Sequence, residues 1–293
     1  MGSPLSRRNF LLGAATAVGA IACSSGKGTI VVPPTPGSGS NNQLNLLETT
    51  DQYIAGVDQR VAFVLRGSQD FVRPSAPVTV AFGTGPDADH LRLGQPVSVV
   101  THTDADPAPA YVTAMVRFPI PGTYWAVATY QGQSAAAPLT VVDSSAAKIP
   151  GPGQPMVSTP TPTFDNHRGL QLLCTRDPQC PWHDVSLDVA LTQHRPIALL
   201  FATPRLCQTA TCGPVLDQLL SLKSAFEGKV HFLHSEIYTD LTAKVLDPAV
   251  QAFNLETEPK LFLAGADGIV ATRIDGLFGH GEAMAALTRL ITA

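Results

Sequence analysis

An uncharged apolar run, Ile197–Ala202, leads into a loop bearing Cys207 and Cys212, and an amphipathic helical pattern follows. A continuous apolar strand without alternation is covered on both faces, as in the middle of an α/β sheet. Val215, Leu219, Leu222 and Phe226 recur at helical spacing and Gly228 ends the pattern, so a covering helix comes directly after the loop. Strand, cysteine loop, helix suits thiol chemistry. The unpaired N–H groups and positive dipole end of a helix N-terminus stabilise a thiolate. Pro214 fits the first helical position, which puts Cys212 within a residue or two of the N-cap. On one continuous helix, residues five apart have Cα atoms roughly 8–9 Å apart. A disulfide reaches less than about 7 Å. Cys207 must therefore lie in the loop, or the first turn must open, for the two sulfurs to bond. A redox couple and a permanent staple both satisfy this spacing.

Residues 1–22 read as a targeting segment, outside the fold. Ser6-Arg7-Arg8-Asn9-Phe10-Leu11-Leu12 resembles the twin-arginine export motif, and the apolar run to Ala22 is short for a membrane span. Ala20-Ile21-Ala22-Cys23 resembles a bacterial lipoprotein box, with Cys23 the lipidated residue. It also fits Ala-x-Ala cleavage, which would give a secreted protein. The expected location is extracytoplasmic, with the membrane held through a lipid on Cys23. Net charge is −4 and no basic run follows Arg7-Arg8, so nucleic acid is not an expected partner. Of five cysteines, four remain after Cys23, in two local pairs: Cys174/Cys180 and Cys207/Cys212. In an oxidising compartment, short-range pairs read as disulfides before metal ligands.

Residues 23–43, rich in Ser, Gly and Pro, read as a flexible linker. Residues 44–142 change to short strands: Val61–Leu65, Val78–Phe82, Val97–Thr101, Tyr111–Phe118, Thr123–Tyr130 and Leu139–Val142. Turn clusters such as Gly83-Thr84-Gly85-Pro86-Asp87 separate them, which predicts an all-β sandwich. Pro119–Tyr124, feeding an alternating strand, resembles the late strands of immunoglobulin-like and fibronectin-type modules. His90 and His102 fall in loops without partners at ligand spacing. Residues 143–163, with five prolines, read as a semi-extended linker between domains.

The last domain, 164–293, begins with a short strand over Leu170–Cys174. Cys174 and Cys180 bracket Thr-Arg-Asp-Pro-Gln, and a structural disulfide is expected there. A metal site of Cys174, Cys180 and His183 is the lesser reading, because no fourth ligand lies nearby in sequence. No metal and no cofactor is therefore expected. His231 and His234 sit three apart in the strand Val230–Ser235, so they point to opposite faces. They read as edge or core-margin residues, and His280, between glycines, reads as a loop residue. Helices are expected over Asp184–Gln193, from the Asp247-Pro248 cap to Phe253, and over Glu282–Ile291. Strands Lys260–Ala264 and Ile269–Ile274 form a hairpin.

This order resembles the thioredoxin superfamily. Cys212-Gly213-Pro214 looks like the first three residues of its Cys-Gly-Pro-Cys motif, and Pro259 stands where the family carries a cis-proline. Val215 replaces the second cysteine. The resemblance implies a multidomain chain: an immunoglobulin-like sandwich, then a three-layer α/β thioredoxin-like domain with a mixed sheet. It also implies thiol–disulfide exchange through Cys207 and Cys212, with Pro259 presenting substrate and with envelope protein thiols or disulfides as partners. The dipole favours Cys212 as the attacking thiol. Cys-x-x-x-x-Cys is also the spacing of some atypical peroxiredoxins, and that comparison favours Cys207. Two other functions fit the residues: a non-catalytic envelope binding protein with two staples, and a thiol peroxidase.

Overall fold

Alternation of apolar and polar residues sets the first half of the chain into strands. The computed structural model describes residues 44–105, 108–207 and 211–292. The twin-arginine segment, Cys23 and the 23–43 linker lie outside the described residues. The first nine strands are β1 (Asn45–Glu48), β2 (Tyr53–Ile54), β3 (Asp58–Arg66), β4 (Thr79–Thr84), β5 (Arg92–Leu93), β6 (Val100–His102), β7 (Tyr111–Arg117), β8 (Gly122–Tyr130) and β9 (Gln133–Val142). They form two sheets, ordered β1-β3-β7-β6 and β2-β9-β8-β4-β5. Val61, Phe63 and Leu65 of β3 face Val80, Ala126, Ala128, Leu139 and Val141 across the sandwich core. Leu139–Val142 is only the end of β9. The β8–β9 turn is Gln131-Gly132, with both φ positive, the two-residue geometry that suits the twist of a hairpin.

β3 is buried along almost its whole length, because its second face is also covered. Val64 and Tyr111 pack into the core of the C-terminal half, against Leu277, Phe278 and the last helix. That half contains α1 (Leu187–Thr192), β10 (Ile197–Phe201), α2 (Cys212–Ser221), β11 (His231–Ser235), α3 (Pro248–Ala252), β12 (Lys260–Ala264), β13 (Val270–Asp275) and α4 (His280–Thr292). The sheet order is β11-β10-β12-β13, with β10 parallel to β11 and antiparallel to β12. Ala198, Leu200 and Ala202 face α2 and α4. Ile197, Leu199 and Phe201 face α1 and α3, where Phe201, Phe253 and Phe262 form a ring cluster. Asp247 caps α3 as expected, accepting from the Ala249 N–H at 2.8 Å.

Several expectations need correction. His280, read as a loop residue, opens α4. Leu170–Cys174 forms bends and irregular backbone instead of a strand. His102 lies in β6, stacked on Tyr111 and bonded to Thr113. The 143–163 segment is packed: Ile149 and Met156 are buried against the α1/α3 layer, and backbone bonds from Gln154 and Met156 reach Val270 and Gly268. Sparse apolar residues among prolines suffice here, because the edge of β13 supplies the partners.

Charges buried between the halves fix their docking. The Arg60 guanidinium meets Glu282 at 2.5 and 3.1 Å and donates to the Asp275 and Leu277 carbonyls. Tyr111 donates to Glu282 at 2.6 Å and accepts from the Gly279 N–H. The fully buried Lys260 ammonium reaches Asp51 at 2.8 Å and Asp275 at 3.4 Å. Burial would raise the Glu282 carboxyl, but the Arg60 charge and the Arg60 and Tyr111 hydrogen bonds hold it below the ordinary value.

Removing one member of a buried pair strands the other. Arg60→Met or Glu282→Leu should each cost about 3–5 kcal/mol in denaturant unfolding, and the double variant less than their sum. Because folded Glu282 binds its proton more weakly than unfolded Glu282, its contribution is present above about pH 4.5 and disappears below. Stability of the double variant should therefore fall less steeply than wild type as pH drops from 4.5 to 3.

Candidate functional site

The carboxyl ends of β10 and β11 and the first turn of α2 converge on two clusters of sulfur, imidazole and carboxylate groups. α2 begins at Cys212 itself, so Pro214 is its third residue, where a missing N–H still costs no helical bond. Cys212 is completely buried, whereas Cys207 is half-buried in the preceding loop. Cys212 Sγ donates to Glu258 Oε2 at 3.3 Å, and the same oxygen accepts from the Thr203 N–H at 2.7 Å. The Glu258–Pro259 peptide is cis. Cys207, Cys212 and Glu258 each place a donor atom within 4.8 Å of the others. Pro259, singled out in the sequence, follows Glu258 directly in the chain. Glu258 was missed, although its place before that proline was a usable signal.

The charges distinguish the two sulfurs. A hydrogen bond to Cys207, burial and the Glu258 charge all push the Cys212 thiol strongly upward. The helix dipole, which favoured Cys212 as the thiolate, is outweighed by these neighbours. Burial, then the Cys207 charge, pushes the Glu258 carboxyl up to about 7, against the bonds from Cys212 and Thr203. Tyr238 lies close enough for burial and then Glu258, Cys207 and Cys212 to raise its phenol.

The second cluster holds Cys174, Cys180, His183 and His234, each about 1% exposed, with all four donor atoms within 4.8 Å of one another. Neither Cys174–Cys180, expected as a disulfide, nor Cys207–Cys212 is joined in this structure. Cys180 Sγ lies 3.2 Å from His183 Nε2 and 3.4 Å from His234 Nδ1. A hydrogen bond from Cys180 draws Cys174 down against burial, and the same bond together with burial pushes Cys180 up. His234 was read as a core-margin residue, and only the pairing of β10 with β11 brings it here, opposite Leu200. Its opposite-face relation to His231 holds: His231 bonds Arg195, away from the cluster.

A short chain of bonds connects the clusters. Thr203 Oγ1 donates to buried Glu236 at 2.5 Å. Glu236 also accepts from the Thr175 N–H at 2.7 Å, next to Cys174. Burial raises the Glu236 carboxyl despite these bonds. Beside Glu258 and Thr211, a cleft of about 320 Å³ opens between the halves, bordered by Leu47, Val64 and Phe71. No helix among the described residues is long and apolar enough to cross a membrane.

No family model matches the chain, and no curated protein matches it. Among solved structures, it is similar to a mutant form of the complex of titin M10 with an obscurin-like 1 Ig domain. That match has 17% identity and a TM-score of 0.20, and covers 34% of this chain and 91% of the other. A second crystal form of that complex matches at 17% identity and a TM-score of 0.18, covering 35% and 96%.

The asymmetry of the sulfurs is measurable. In the reduced protein near pH 7, iodoacetamide should alkylate Cys207 at least about tenfold faster than Cys212, because only a thiolate reacts. Peptide-resolved mass spectrometry reads the ratio, and equal rates would contradict the assignment.

Proposed function

We propose that the chain is a thiol–disulfide exchange protein whose C-terminal half is thioredoxin-like, with Cys207 attacking and Cys212 resolving. The observation that carries this reading is the buried Cys212 thiol hydrogen-bonded to Glu258, beside cis Pro259. The strand order β11-β10-β12-β13, with its antiparallel outer pair, supports the thioredoxin-like reading. The sandwich of residues 44–142 is read as immunoglobulin-like on its two packed sheets.

In the proposed reaction, the Cys207 thiolate attacks one sulfur of a substrate disulfide and expels the other as thiolate. Glu258 then takes the proton from Cys212. The Cys212 thiolate attacks Cys207 Sγ, which closes the Cys207–Cys212 disulfide and releases the second substrate sulfur. The proton on Glu258 goes to a departing thiolate. Atoms and electrons balance: one disulfide is reduced and one is formed. A carboxyl with a value near the working pH suits this proton relay. Pro259 would present extended substrate backbone, and the cleft lined by Phe71 and Leu47 would receive the apolar flank of a polypeptide. The proposed setting is outside the cytoplasm, at a membrane through a lipid on Cys23, with envelope proteins as substrates. The peroxidase reading has less support, because the Thr203 hydroxyl is engaged with Glu236.

The Cys207–Cys212 couple should titrate between about −120 and −270 mV in a glutathione series followed by thiol trapping. A couple still oxidised below about −300 mV would mark a staple and favour a non-catalytic binding protein. Cys207→Ser should abolish exchange, and Cys212→Ser should trap a mixed disulfide. Glu258→Gln should slow resolution by about 100-fold or more and remove the rise in rate as Glu258 ionises through about pH 7.

A further inference from the structure

We infer that Cys174, Cys180, His183 and His234 form a closed tetrahedral binding site for one zinc ion. The inference is independent of the exchange reaction, because none of the four belongs to the Cys207/Cys212 cluster. Three features carry it.

The first is geometry. With Zn–S near 2.3 Å and Zn–N near 2.0–2.1 Å, tetrahedral ligands stand about 3.3–3.8 Å apart. The donor atoms already lie within 4.8 Å of one another, and two sulfur–nitrogen separations are 3.2 and 3.4 Å. Small side-chain shifts would complete the shell.

The second is the orientation of the imidazoles. His234 Nε2 donates to the Ala202 carbonyl at 2.9 Å, so its proton is on Nε2 and its Nδ1 lone pair faces the sulfurs. His183 presents the opposite nitrogen, Nε2, to Cys180. Its buried Nδ1 has no hydrogen-bond partner among the described residues. The His234–Ala202 bond is an outer contact of the kind that fixes the tautomer of a metal-bound histidine. A disulfide between Cys174 and Cys180 would leave both inward lone pairs without a purpose.

The third is charge. Two thiolates, two neutral imidazoles and one dication sum to zero, which suits four groups each about 1% exposed. Trp182, between Cys180 and His183 in sequence, is buried and stacked on Phe232. Four protein ligands leave no position for water or substrate, so the role is structural. The ion would tie the 174–183 loop to β11.

The test uses the full chain, reduced, stripped with chelator, loaded with zinc and desalted. The expected result is one zinc per chain by elemental analysis, with X-ray absorption showing two sulfur and two nitrogen ligands. The Cys207→Ser/Cys212→Ser variant should keep the zinc. His183→Ala should weaken it by about 100-fold or more in chelator competition, beyond the loss typical of an outer contact. In case that variant unfolds, His234→Cys supplies another zinc ligand. It should retain the ion with three sulfurs in the absorption fit, as only a directly coordinating residue would. The inference is overturned if the folded wild-type chain retains no zinc, if retention depends on Cys207 or Cys212, if only copper(I) is held, or if a Cys174–Cys180 disulfide forms in air despite equimolar zinc.

Discussion

Everything about the candidate site depends on the buried ionic contact between the two halves. Arg60 projects from a strand otherwise made for a sandwich core, and Glu282 and two backbone carbonyls receive it. A guanidinium in that place would be intolerable without those partners. The same interface reaches the reactive end of the sheet. Asp51, from the sandwich, accepts from Thr257 and pairs with Lys260, and so holds the residues on either side of Glu258–Pro259. Asp275 gathers Lys260 and Arg273, and Gly276 donates to the Pro259 carbonyl. The sandwich is therefore part of the machinery that positions Glu258, and the cleft beside it is made jointly.

The environments of the two cysteine pairs differ in kind. Cys207 and Cys212 face a carboxyl that can exchange a proton. Cys174 and Cys180 face two imidazoles, which are neutral donors to a cation. Two sulfurs beside a carboxyl suit electron and proton traffic, whereas two sulfurs beside two imidazoles suit a fixed charge. Burial adds to the contrast, because Cys207 alone of the four is partly open to solvent.

Local pattern made much of this legible. The β10 run, the helix after Cys212, the Asp247 cap and the β12–β13 hairpin follow from apolar spacing and turn residues. Cys207, Cys212 and Pro259 were singled out because short motifs point to them. What escaped depends on distant partners. His234 is 51 residues beyond His183 in sequence, and only parallel strand pairing brings the two together. Arg60 reads as an ordinary polar residue until its second sheet face is known to be covered. The proline-rich 143–163 segment lacks periodicity, yet Ile149 and Met156 find a core already built by other elements. The absence of a nearby fourth ligand, which argued against a metal, was an absence in sequence and not in space.

One peptide group carries a consequence of its own. The Ala202 carbonyl accepts from His234, and the Thr203 N–H donates to Glu258. These two atoms belong to the same planar amide, held trans to one another by its partial double bond. A single rigid plate therefore has the imidazole cluster on one edge and the carboxyl on the other. It cannot swivel to improve one contact without giving up the other. The dipole of that plate, about 3.5 D, points its positive end at Glu258 and its negative end at His234. A change of charge on either side is felt by the other across the width of one peptide bond.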